Sequence, residues 1–238
     1  MYRIKFVEKL IHLNEMLIFY PKLLSFYKQY LKGTKPVILD IGANNGQTID
    51  FFMRVCDNDA IIHSFEPNKK LYEKLVKRYS DKDNIHIYNI GISNATGKLL
   101  FNESVMDTTS TFEELNMNSS YLKQKSKILG VSPDEIIKDS YEVDVITLQN
   151  FIVSNNIDKI DVLKIDTEGH EYKCLQGLFD RLPSYNIGII QLEQHHDDMY
   201  TNNTSEKDIM HLLQSNGYNL YKRIRHGFGG IDELLYKQ

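Results

Sequence analysis

Cysteine is scarce, positive charge is not in excess and no long uninterrupted apolar run is present, and each absence removes a class of protein. Cys56 and Cys174 are the only 2 cysteines among 238 residues. They support neither a disulfide framework nor a thiolate metal site, and read as reduced thiols of a cytosolic protein. A formal charge of -4 argues against nucleic-acid wrapping and against electrostatic steering to a membrane. The N-terminal segment scatters Arg3, Lys5, Glu8, Lys9, Glu15 and Lys22 among its apolar positions. It offers no apolar core of signal-peptide length before a small-residue cleavage site, and no stretch clean enough to span a bilayer. Internal repeats and low-complexity tracts are missing too. The expectation is a cytoplasmic protein with no membrane span and no nucleic-acid partner.

The chain does carry clear periodicity. Phe6, Leu10, Leu13 and Leu17, then Leu23, Leu24 and Tyr27, recur at three- and four-residue steps. Residues 1–35 therefore read as a helical extension of one or two amphipathic helices, interrupted near Pro21. Its apolar side is expected to pack on the main domain or on a second subunit, which would make a homo-oligomer. From Pro36 onward, VILDI, AIIHSF, NIHIYNI, IDVLKI and NIGIIQL read as buried strands. TIDFFMRVC, KKLYEKLVKRY, EYKCLQGLFDRL and SEKDIMHLLQSN, placed between and after them, read as helices with one apolar face. That alternation predicts an α/β fold, a parallel sheet with helices on both faces, over residues 36–238. GYNLYKRI and IDELLYK are expected to close one sheet edge as a pair linked by the HGFGG turn. A polar stretch at about 102–140, preceded by a small strand in NATGKLLF and holding a helix at its centre, interrupts the rhythm. Insertions of that length in a compact domain are usually lids or binding loops.

The handover from the first strand to the first helix is LDIGANNGQT. Gly42 permits a sharp turn, Gly46 permits close approach at the helix start, and the helix N-terminus offers unpaired amides. A dinucleotide fingerprint would place glycine at position 44, where Asn44 stands, and this disfavours a nicotinamide-dependent oxidoreductase. Glu66 ends the second strand in HSFEPN. A carboxylate there can accept from both hydroxyls of a ribose, although the same site also suits a plain helix start before Pro67. The glycine turn and Glu66 together favour a nucleoside ligand.

The run IDVLKIDTEGHE ends in Asp166, Glu168, His170 and Glu171, more acids than helix capping needs. A second polar group, EQHHDD, follows the next strand. In an open parallel sheet ligands lie beyond the carboxyl ends of the strands, where the strand order reverses. Asp166, Glu193 and His195 are thus expected to meet in one cleft as a proton-accepting edge. The same three groups could hold Mg or Mn, but no metal is expected. Ser104, Thr108, Thr109, Ser110, Thr111 and Asn116 of the insertion supply hydrogen-bonding groups for a polar acceptor. Thr109 and Ser110, with Glu168 and His170, are the residues expected to face it.

LDIGANNGQT, HSFEPNKKLYEKL, NIHIYNIGISNATGKLLF, VDVITLQNFI, IDVLKIDTEGHEYKCLQG and IGIIQLEQHH together resemble, in that order, the successive motifs of the FkbM-type S-adenosylmethionine-dependent methyltransferases. The resemblance covers roughly residues 36–196. It implies a Rossmann-like class I methyltransferase fold, with a seven-stranded, mostly parallel sheet whose seventh strand is antiparallel. It implies S-adenosylmethionine as cofactor and methyl transfer to a hydroxyl oxygen. Asp40, Gly42, Asn44 and Gly46 match the turn that holds the methionine and ribose, and Glu66 matches the ribose-binding acid. Gly91, Ile92 and Ser93 match the segment near the adenine, and Asp166 the floor near the sulfonium. The expected acceptor is a small molecule, a sugar or nucleotide-linked sugar, with a non-sugar natural product as the alternative.

Overall fold

In a computed structural model of the protein, residues 2–180, 186–202, 204–226 and 230–238 are described. The chain opens with α1 (Tyr2–Asn14) and α2 (Tyr20–Tyr30), joined by a π-helical stretch, Glu15–Phe19. The expected break near Pro21 is thus a change of helical winding. Pro21 sits in the first turn of α2, where its missing N–H removes no bond.

The sheet follows the expected alternation. β1 (Val37–Ile41), β2 (Ile61–Phe65), β3 (Ile85–Tyr88), β7 (Ile160–Ile165) and β8 (Ile187–His195) are mutually parallel. α3 (Gln47–Val55), α4 (Lys69–Arg78), α7 (Glu171–Phe179) and α8 (Glu206–Ser215) fall where the apolar spacing puts them. Asn68 starts α4 by accepting from the amides of Lys70 and Leu71, which ties its first turn to the end of β2. The last strands, β9 (Asn219–Arg225) and β10 (Ile231–Lys237), pair as expected, but β10 enters between β8 and β9 and runs antiparallel to both. The order is β3-β2-β1-β7-β8-β10-β9, so the topology reverses between β1 and β7. Residues 227–229, the centre of the HGFGG turn, lie outside the described residues.

Strand alternation sends two sets of side chains to two layers. Leu39, Ile41, Leu163, Ile165, Ile190 and Leu192 pack under α7, α8 and α6 (Leu148–Ser154). Ile38, Ile62, Val162, Ile189 and Leu235 pack under α2, α3 and α4. Asp40, Lys164, Gln191, Glu193 and Glu233 share that second parity, so a polar strip runs beneath the N-terminal helices. Tyr27 of α2 is fully buried there and donates to Gln191 at 2.6 Å.

A second sheet of β4 (Gly91–Ile92), β6 (Ile137–Ile146) and β5 (Gly97–Ser104) stands beside the main one. β5 starts inside NATGKLLF and runs on to Ser104, and β6 was not anticipated as a strand. Between them the polar stretch folds around α5 (Ser120–Leu129), the helix expected at its centre. Ile4, Val7 and Ile11 of α1 pack against the cluster containing Leu122, Leu129, Met106, Met199 and Tyr200. The opposite side of the same helical stretch leaves Phe6, Leu13 and Leu17 exposed. Among the described residues no helix is long and apolar enough to cross a membrane.

Candidate active site

The turn after β1 is shaped by two close contacts. Gly42 adopts φ +90, and a Cβ there would lie 1.9 Å from the backbone oxygen of Asp166, so any side chain would force β1 and β7 apart. The amides of Gly42 and Ala43 both donate to Phe65 O, which fixes the turn against the end of β2. Asn44 takes φ 48, a left-handed conformation asparagine tolerates better than most residues. Its amide donates to Glu66 Oε2 at 2.7 Å and its side chain donates to Asp107 O at 2.9 Å.

Glu66 also accepts from Asn68 N at 2.8 Å. Each carboxylate oxygen keeps a second lone pair for a ribose hydroxyl. Burial outweighs the two amide donors and pushes the Glu66 carboxyl up to about 8. Asp40 lies beneath the turn, fully buried, accepting from Ser64 at 3.0 Å with Lys164 Nζ 4.0 Å away. Its burial raises its own pKa above the usual carboxylate range. Gly46 caps α3, and a Cβ there would meet the Tyr79 hydroxyl at 2.6 Å. Asp40 and Gly46 therefore support the turn from behind.

Gly91 and Ile92 of β4 reach the cavity wall, but Ser93 is buried behind it. Ser93 Oγ stands 2.9 Å from His170 Nε2, and the ring's Nδ1 stands 2.6 Å from Glu113 Oε1. Burial holds the His170 imidazole below its ordinary range despite Glu113. A neutral ring that donates to Glu113 from Nδ1 accepts from Ser93 at Nε2, so both nitrogens are used. Lys173 adds a 2.8 Å bond to the same Glu113 oxygen. His170 was expected to face the acceptor; instead it joins the polar stretch to β4 and α7 behind the cavity wall.

The acid–imidazole edge forms where β7 and β8 end. Glu168 takes φ 54, and its carbonyl accepts from Thr111 at 2.7 Å. His195 Nε2 lies 3.0 Å from Glu193 Oε2 and 3.6 Å from Glu168 Oε2, while its Nδ1 lies 3.5 Å from Asp197 Oδ2. Burial opposes a charged imidazole, but Glu168, Asp197 and Glu193 outweigh it and raise His195 well above its normal range. Lys164 Nζ donates to Asp166 Oδ2 at 2.8 Å, and this ion pair holds Asp166 low against the effect of burial. Burial, reinforced by Asp166, pushes Glu193 up to about 8. The structure therefore brings Asp166, Glu193 and His195 together, as the alternation along β8 predicts. Glu168 joins them, held by Tyr200 OH at 3.0 Å.

One cavity of about 920 Å³ connects the glycine turn to this edge, at the upper end of the range for small-molecule sites. Thr109 and Ser110 line it beside Asp107, although each also bonds within its own loop: Thr109 donates to Ser104 Oγ, and Ser110 accepts from Ser104 N. Lys164, Lys125, Tyr20 and Glu233 line it as well. None was read as a site residue from the sequence. A lysine inside the apolar strand VLKI was the available signal for Lys164. Lys125, Tyr20 and Glu233 sit on segments that only the tertiary fold brings to the cleft.

The profile of the methyltransferase FkbM domain matches residues 40–220. The chain is similar to the hexuronic acid methyltransferase AglP of Haloferax volcanii, 25% identical over 158 residues, which cover 66% of this chain and 55% of that one. It is similar to the 2-O-methyltransferase NoeI of Sinorhizobium fredii, 24% identical over 207 residues, which cover 86% of this chain and 81% of that one. It thus spans about half the length of the first relative and about four fifths of the second. Among solved structures, the methyltransferase FkbM of Methylobacillus flagellatus superposes with TM-score 0.55 at 16% identity, covering 85% of this chain and 43% of that one. A SAM-dependent methyltransferase of Aquifex aeolicus superposes with TM-score 0.52 at 9% identity, covering 99% and 98%. These superpositions establish the class I methyltransferase fold. The profile match, from residue 40 to residue 220, takes in the glycine turn, the acid ending β2 and the whole acid–imidazole edge, and the chain belongs to the FkbM methyltransferase family.

Proposed function

We propose that the protein transfers a methyl group from S-adenosylmethionine to a hydroxyl oxygen of a carbohydrate. The observation that carries this reading is the joining, in one cavity, of the glycine turn with Asn44 and Glu66 and the acid–imidazole edge of Asp166, Glu193 and His195. The residues present fit the cofactor. Gly42 leaves the backbone bare where any Cβ would collide, and Glu66 has lone pairs left after its two amide bonds. When bound, S-adenosylmethionine supplies a methyl already activated on a sulfonium, so the chain has mainly to orient the partners and exclude water.

In this reading Glu66 accepts from the ribose hydroxyls, while Gly91 and Ile92 flank the base. Asp166, fixed by Lys164, forms the floor where the two halves meet. The acceptor oxygen lies against the Glu168–His195–Glu193 edge, and its proton passes to a carboxylate of that cluster, which His195 holds in place. Thr109 and Ser110 orient the acceptor from the 107–111 loop, which meets Asn44 at one end and Glu168 at the other. The two relatives, a hexuronic acid methyltransferase and a 2-O-methyltransferase, support an oxygen of a sugar as the acceptor.

Calorimetric titration with S-adenosylmethionine, with a nicotinamide dinucleotide as the control, tests the cofactor. Transfer of labelled methyl to a panel of neutral sugars, uronic acids and nucleotide sugars then tests the acceptor. Binding of the dinucleotide in place of the sulfonium compound overturns the proposal. Transfer confined to non-sugar alcohols overturns its carbohydrate part.

A further inference from the structure

Glu193 on β8 and Glu233 on β10 are directly opposite one another in an antiparallel pair, with both side chains turned under the N-terminal helices. Two ionised carboxylates in that relation repel, so burial there favours their protonated forms unless a cation stands between them. Lys164, the buried cation of the strip, is already bonded to Asp166 at 2.8 Å and paired with Asp40 at 4.0 Å. His226, just after β9, completes a group: one atom from each of Glu193, His226 and Glu233 lies within 4.8 Å of the other two. Ligand atoms on opposite sides of a cation with bonds of about 2.1 Å stand about 4.2 Å apart, so small side-chain adjustments close the set.

A second observation is independent of that clustering. Glu233 is 3% exposed, and its Oε2 has no hydrogen-bond partner among the described residues; the buried Nε2 of His226 has none either. Orphaned buried acceptors call for a ligand. The His226 ring is also held in the manner of a metal ligand. Glu15 Oε1 lies 3.6 Å from its Nδ1, and Phe19 stacks on it at 4.1 Å. A carboxylate on one imidazole nitrogen is the usual partner of a histidine whose other nitrogen binds metal. Both residues come from the π-helical stretch, a winding often found at functional sites.

We propose that Glu193, His226 and Glu233 form a binding site for one divalent cation of the Mn²⁺ or Mg²⁺ type. The two carboxylates suit those ions, with Mn²⁺ the better match to a set that includes an imidazole, and all three residues line the cavity, which leaves further coordination positions for oxygen ligands. The neighbouring set of Glu168, Glu193 and His195 is the poorer site. Both His195 nitrogens face carboxylates, at 3.0 Å and 3.5 Å, and present no lone pair to a cation. An acceptor hydroxyl as one of the oxygen ligands rests on the proposed methyl transfer; the binding of the cation does not.

Titration of the full chain with Mn²⁺, followed by the loss of the free-ion electron paramagnetic resonance signal and by calorimetry, tests the site. One ion per chain is expected, with affinity at least tenfold weaker in Glu233→Gln and in His226→Asn and unchanged in the surface variant Glu73→Gln. No binding by the parent chain, or equal binding by both site variants, overturns the assignment. Should either site variant fail to fold, pulsed resonance on His195→Gln and on the parent decides: a directly bound histidine nitrogen in both is expected, and its absence from either overturns the site. Because S-adenosylmethionine binding is measured separately, failure of the cation site and failure of the methyltransferase reading give different results.

Discussion

The two ends of the cavity are built in opposite ways. The end proposed to hold the cofactor is local: Gly42, Asn44 and Glu66 lie within 25 consecutive positions, and their geometry follows from one strand–turn–helix unit and the strand beside it. The end proposed to take the acceptor is assembled from distant segments, with Glu15 and Tyr20 from the N-terminal helices, Thr109 from the polar stretch, Asp166 and Glu193 from the ends of β7 and β8, and Glu233 from β10. A ligand shared by a whole family can be held by a compact local unit, whereas an acceptor that differs between members calls for walls that can vary independently.

The largest effect that could break this comparison is expected from Gly42→Ala. The new Cβ would sit 1.9 Å from Asp166 O, so the variant is expected either not to fold or to lose all measurable cofactor affinity. Circular dichroism and calorimetry decide, and a folded variant with parental affinity would show that the turn tolerates what the geometry forbids. Next comes His195→Ala, which removes the cation that holds Glu168, Glu193 and Asp197 in place; disrupting proton transfer to that cluster is expected to lower turnover by about 10²–10⁴-fold while leaving S-adenosylmethionine affinity within about twofold. Equal losses in both quantities would mean that the two ends are not separable.

Glu66→Gln is expected to weaken cofactor affinity by about 10- to 100-fold, the loss of charge-assisted bonds to two hydroxyls. Its pH dependence sharpens the test. The free Glu66 carboxyl is pushed up to about 8, and ribose hydroxyls donate to its ionised form, so binding below that pH must release a proton. Affinity should rise by up to about tenfold per unit from pH 6 toward 8 and then level off, and Glu66→Gln should abolish the rise. For stability the sign is opposite. Between about 4.5 and 8 the folded chain holds a proton that the unfolded chain releases, so Glu66's contribution to stability falls as pH rises through that window. The smallest effect is expected from Tyr27→Phe, which removes the bond to Gln191. Denaturant unfolding should show a loss of about 1–2 kcal/mol with cofactor affinity unchanged.

Most of the sheet was legible because its strands are short apolar runs, and VILDI and IDVLKI stand almost unbroken in the sequence. β6 escaped because Lys138, Asp139, Ser140, Glu142 and Asp144 make it look like a loop; it packs in a small side sheet with much of its length exposed. The glycine turn and Glu66 were legible because their spacing carries their geometry. His170 was misplaced because its position is settled by Glu113, 57 positions earlier, and by Ser93, 77 earlier, and nothing in the local pattern encodes such pairings. Glu233 and His226 were passed over for the same reason. A strand expected to help close the sheet edge turned out to be an interior one, and its acid was buried by that change.

The insertion of β10 between β8 and β9 also bears on how the chain reaches this state. β9 precedes β10 in sequence yet pairs only with it, so β9 has no place in the sheet until the last strand has arrived. Until then β8 is an open edge, its unpaired amides and carbonyls available to any passing strand. Docking of the β9–β10 pair onto β8 is therefore what covers that edge, and until it happens β8 is open to pairing with another chain.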